Sequence, residues 1–189
     1  VKEVIKLKKE KSNNAMAALM VTYAILAGCF HWMTQSQEFH VYLISFSLIG
    51  LMQYRIVISC HEAVHFSLLY PKWLNELIGG INCAMVGMNL ERYRRQHMTH
   101  HWASSLEEDS DGYIYIPILQ AKPGMHRLLV WIFGTVKEVV LKFTAKSLTL
   151  SKQKESTKLV YLHSVLLLLV NATLWGIMLH FFNWWFYFA

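Results

Sequence analysis

Five of the ten histidines in this 189-residue sequence fall into two tight groups. The first is His61-Glu62-Ala63-Val64-His65, and the second is His97-Met98-Thr99-His100-His101. Residues three and four apart share a helix face, so this spacing predicts that His61 and His65 point one way. The same spacing puts His97, His100 and His101 on one face of their own helix. Neutral imidazole is a ligand for iron, zinc, copper and nickel, so the grouping points to metal chemistry. By itself His61-Glu62-x-x-His65 matches the zinc-protease pattern, in which two histidines hold zinc and the glutamate is the general base. A mononuclear zinc hydrolase, however, takes three protein ligands and keeps one position open. Five clustered histidines exceed that need and suit a two-metal site that still requires further ligands. His31, His40, His126, His163 and His180 stand singly and are expected to be packed or interfacial.

The elements that must position these groups read as an all-α integral membrane bundle. The apolar residues are bunched into long runs, and a span needs about 20 mostly apolar residues. Ala15 to about Met33 forms the first span and Val41 to about Cys60 the second, with Arg55 near its end, where a long side chain can snorkel. Leu159 to about His180 forms the third, and a fourth begins near residue 182. The lead from Val1 to Asn14 is basic and polar, with Ser12, Asn13 or Asn14 as candidate helix caps. Its lysines place the N-terminus in the cytoplasm, so the second span returns there and His61 emerges on the cytoplasmic side on a continuation of that helix. Pro71 can open a helix, and Trp73, Leu74, Leu77, Ile78 and Ile81 follow at helical spacing, while Gly79-Gly80 weakens it. If residues 66–90 crossed the bilayer, about 30 Å of hydrocarbon would separate the two histidine groups. An interfacial or re-entrant helix that keeps both groups on one side is therefore expected. Gly112 is expected to turn the chain, and Met125 to about Lys146 to form an amphipathic surface helix.

The net charge of +6 sits in clusters before the apolar runs and beside the second histidine group. That is the pattern of loops held inside by basic residues, and it argues against nucleic-acid binding. Cys29, Cys60 and Cys83 lack paired metal spacing and are expected as free thiols. Trp184, Trp185 and Tyr187 suit an interfacial aromatic belt. The chain opens at Val1 and stops inside an apolar stretch, so it reads as a piece of a longer protein, a single membrane domain over residues 1–189 truncated at its C-terminal end.

The two histidine groups, Tyr93-Arg94-Arg95-Gln96 before the second and Glu108-Asp109-Ser110-Asp111 after it, resemble the membrane fatty acid desaturases and related hydroxylases. The order of elements is also similar: two spans, a first histidine box, a membrane-surface segment, a second box, then further spans. The resemblance implies a cytoplasm-facing centre of two non-haem iron ions with His61, His65, His97, His100 and His101 as ligands. It implies dioxygen as co-substrate, a cytochrome b5-like or ferredoxin-like electron donor, and removal of hydrogens from a lipid acyl chain. Glu62 and Asp111 fit as partners that hold imidazole N–H groups rather than as ligands. The third histidine box of that family follows its fourth span, beyond the last residue of this sequence. A lipid or carotenoid hydroxylase or ketolase of the same architecture begins with the same C–H abstraction. An intramembrane zinc protease using His61, Glu62 and His65 and a non-catalytic metal-binding membrane protein are the remaining alternatives.

Overall fold

The computed structural model describes residues 2–36, 38–103, 112–144 and 157–181, and every regular element among them is an α-helix. In chain order these are α1 (Lys2–Gln35), α2 (Phe39–Val64), α3 (Lys72–Met85), α4 (Leu90–Ala103), α5 (Gly112–Gln120), α6 (Met125–Thr144) and α7 (Thr157–Phe181). Three of them are long and apolar enough to cross a membrane, over Ile5–Gln35, Phe39–Val64 and Thr157–Ile177. The 14 residues of α3 reach only about 21 Å at 1.5 Å per residue, short of a bilayer core.

The described residues form two compact units, residues 1–91 with 156–189, and residues 92–155. In the first, α1 packs along α2, α2 against α3, and α3 against α7. Polar side chains are buried beside apolar ones, and many large apolar side chains face outward. Thr22, Ser45 and Ser59 are buried between helices, whereas Met20, Leu43, Phe46, Leu51, Leu168 and Leu169 face outward. Small and polar residues let membrane helices approach closely, and outward leucines and phenylalanines suit a hydrocarbon solvent. Two of these hydroxyls are satisfied within their own helices: Thr22 Oγ1 donates to the Ala18 carbonyl at 2.8 Å, and Ser59 Oγ to the Ile56 carbonyl at 2.7 Å. A polar chain then joins three helices. The Tyr23 hydroxyl donates to Asn82 Oδ1, and Asn82 Nδ2 donates to Ser59 Oγ at 2.6 Å. Cys29, Cys60 and Cys83 are free thiols and buried.

The α3–α7 contact depends on absent side chains as much as on present ones. A Cβ at Gly80 would stand 2.8 Å from Leu166 Cδ2 and 3.1 Å from His163 Cδ2. His163 is buried there with Nε2 3.6 Å from Glu76 Oε2, so it is a packed histidine on a helix contact. Asn89 Nδ2 donates to the Val160 carbonyl and Ser164 Oγ, and Asn171 Nδ2 to the Ala84 carbonyl, which ties both ends of the contact. Gly80→Ala is accordingly expected to cost about 1–3 kcal/mol through overpacking, read as a lowered unfolding temperature in detergent.

Three sequence expectations are corrected. The basic lead is no separate segment capped at Ser12, Asn13 or Asn14, because α1 runs unbroken from Lys2 to Gln35. Residues 2–27 contain neither glycine nor proline, and Lys, Glu, Ala, Leu and Met are strong helix formers, so charge alone does not stop the helix. Ser12 instead faces a loop: its hydroxyl accepts the Tyr70 N–H at 2.9 Å. Gly112 opens α5 rather than making a turn. Arg92, Arg94 and Arg95 lie on α4 rather than in a loop, and Arg94 and Arg95 are buried.

In the second unit α5 packs on α6, and Arg127 donates to the Ala121 carbonyl from both Nε and Nη2, at 3.3 and 3.0 Å. Met125, Leu128, Leu129, Trp131, Ile132 and Phe133 on the first half of α6 are exposed apolar residues. Trp184, Trp185, Tyr187 and the expected fourth span lie outside the described residues.

Candidate metal centre

The first box sits where α2 ends. His61 occupies the last turn, and His65 is the C-cap with φ −84° and ψ 5°, one residue beyond the helix. Four residues of separation still bring the rings together, with centroids 4.9 Å apart at 61°. Each ring offers a nitrogen within 4.8 Å of the other's. His61 is half-buried and His65 exposed.

The chain leaves this box through a tight reversal. Phe66 adopts φ 56°, a left-handed conformation that is uncommon for an aromatic residue and costs about 1–3 kcal/mol. Its N–H donates to the Ala63 carbonyl at 3.1 Å, and Ser67 N–H to the Glu62 carbonyl at 3.0 Å. The Lys72 ammonium lies 4.2 Å from the centroid of the Phe66 ring, a cation–π contact across the reversal. Glu62 belongs to the same local network. Its carboxylate accepts the Ser67 hydroxyl at 2.5 Å and stands 3.6 Å from Lys11 Nζ of α1.

The second box lies wholly within α4, with His100 and His101 in its last turn. His97 and His101 form the close pair, with Nε2 atoms 2.9 Å apart and rings nearly perpendicular at 87°. His100 stands to one side, its centroid 6.1 Å from that of His97 and 5.8 Å from that of His101. The helix explains the difference. Residues four apart are nearly eclipsed, whereas His100 and His101, being consecutive, diverge by about 100°. His97 is buried, His100 half-buried and His101 exposed. Asp111 lies outside the described residues.

Two nitrogens on one ion, each about 2.1 Å from it at a right angle, are about 3 Å apart. The 2.9 Å between the His97 and His101 nitrogens meets that spacing. The same separation suits a hydrogen bond between the two rings when no ion lies between them, with the donor set by the tautomer. A borderline-soft, all-imidazole donor set fits iron, and the residues of each box therefore suit the group their chemistry suggests.

The family model described as fatty acid desaturase matches residues 37–189. The chain belongs to this family. The matched region begins at the α1–α2 connection and takes in both histidine groups. The chain is also similar to a Delta(8)-fatty-acid desaturase of Helianthus annuus, 23% identical over 128 residues. That alignment covers 66% of this chain and 28% of the relative, so the chain spans well under half the length of the curated protein it matches. No solved structure matches it.

Sequence reasoning found the histidines but missed what holds them. Ser67, Lys11 and Asn75 contact the first box or its reversal, and none belongs to a motif. The one available signal was Asn75, a polar residue inside the apolar spacing of residues 73–81.

Proposed function

We propose that this chain carries the first two histidine boxes of a membrane-bound, dioxygen-dependent oxidoreductase that desaturates the acyl chain of a fatty acid or lipid. His61, His65, His97, His100 and His101 supply five imidazole ligands to a centre of two non-haem iron ions. The observation that carries this reading is the ligand-like spacing of the His97 and His101 nitrogens, within a chain of the desaturase family. When bound, non-haem iron supplies the redox chemistry with dioxygen that attack on an unactivated C–H bond requires, which zinc does not.

The chain's own residues do the rest. The imidazoles hold the ions in neutral form, and the second nitrogen of a metal-bound imidazole characteristically donates to a carboxylate, carbonyl or water that fixes the ring. Glu62 and Asp111 take that supporting role. The boxes face the cytoplasm, as the lysine-rich start of α1 favours, and a cytochrome b5-like or ferredoxin-like donor docks there from water. The acyl chain reaches the centre from the bilayer.

Lipid profiling of cells expressing the whole protein, with metal analysis of the purified product, tests the reading. The expected result is a new double bond in cellular acyl chains and two iron atoms per chain. Hydroxylated lipid in place of a double bond would move the assignment to a hydroxylase, and zinc without iron would overturn it.

A further inference from the structure

We infer that α3 is a clamp on the first histidine box, with Asn75 and Gly79 as its positioning residues. The inference rests on the proposed metal-binding role of His61 and His65. Asn75 is fully buried. Its Nδ2 donates to the Ala63 carbonyl at 2.9 Å, and its Oδ1 accepts the N–H groups of Leu68 and Leu69 at 3.2 and 3.3 Å. One side chain therefore fastens the backbone on both sides of His65, at residue 63 before it and at residues 68 and 69 after it. Asparagine is a weak helix former, and burying an amide without partners is costly. Three main-chain hydrogen bonds offset that cost here, and each is made to the box and its reversal rather than to α3.

Gly79 lies one turn further along the same face of α3. A Cβ there would stand 2.4 Å from Ala63 Cβ, a distance real side chains do not reach. Ala63 is fully buried. The residue at the centre of the box is thus pinned twice, by its carbonyl to Asn75 and by its methyl to the bare backbone of Gly79. His61 and His65 lie two residues to either side of it. A metal site needs its ligands held to about 0.5 Å, and the exit from α2 through a left-handed Phe66 would not do so alone. Gly79-Gly80, which weakens α3 as a helix, is what lets α3 lie flush on the box on one side and on α7 on the other.

The test is cobalt(II) titration of the whole protein in detergent, read from its visible spectrum, for variants that keep native helix content. Gly79→Ala and Asn75→Ala are each expected to weaken cobalt binding about 10–100-fold, the effect of losing a group that orients a ligand. Moving the methyl across the contact in the double variant Ala63→Gly/Gly79→Ala restores the space and is expected to restore affinity and spectrum. Amide exchange of the metal-free protein gives an independent reading: Asn75→Ala should speed exchange at Leu68 and Leu69. Unchanged cobalt affinity in Gly79→Ala, a double variant as weak as the single one, or unchanged exchange would each overturn the clamp. A wild-type protein that takes up neither cobalt nor iron would instead overturn the metal reading itself.

Discussion

Replacement of His101 by Ala is expected to lower bound iron and product formation by more than about a hundredfold, since losing a group that merely orients a ligand already costs 10–100-fold. The geometry makes His101 a sharper probe than its neighbours. It is exposed, so its removal leaves no cavity in the packing, yet its Nε2 stands 2.9 Å from that of buried His97. A loss of iron with native helix content therefore reports ligation and not folding. His31→Ala is the control. That histidine is exposed on α1, and a surface change of this kind moves stability by no more than about 0.5 kcal/mol. Iron content and desaturation both measured at the wild-type level in His101→Ala would remove the second box from the centre.

The second large effect separates two chemistries that share the pattern His61-Glu62-x-x-His65. If Glu62 were the general base of a zinc protease, Glu62→Gln would abolish activity, because an amide takes no proton from water. The structure places the carboxylate against the Ser67 hydroxyl, with Lys11 beside it, in the reversal that follows the box. A glutamine oxygen can accept the same hydroxyl. Glu62→Gln is thus expected to keep most desaturation activity, whereas Glu62→Ala loses it about 10–100-fold by freeing the reversal. Ser67→Ala should fall on the same side as Glu62→Ala, although with a smaller effect, because backbone bonds from Phe66 and Ser67 persist. Lipid composition of cells expressing each variant measures all three.

The region matched by the desaturase family begins after α1, yet α1 touches the first box and its reversal through Lys11 and Ser12. An element outside the matched region therefore contributes to the surroundings of the candidate site. Its helix runs about 51 Å, well beyond the thickness of a bilayer core, and the excess is the charged lead that carries these two residues.

What the amino-acid order determined by itself is whatever obeys a short period. Imidazoles four apart meet on any helix, so the pairs His61–His65 and His97–His101 were legible without coordinates. Long uncharged runs declare helices that can cross a membrane for the same local reason. The wider spacing of the His100 ring, 6.1 Å from His97 and 5.8 Å from His101 between centroids, emerged only from the structure of α4. Tertiary structure decided the rest. That Ser12 meets Tyr70, that Asn75 gives its amide to Ala63, and that Gly79 admits the Ala63 methyl all depend on segments 12 to 58 residues apart being pressed together. Such contacts leave no periodic trace, because a buried hydrogen bond constrains one residue at each end and nothing between them.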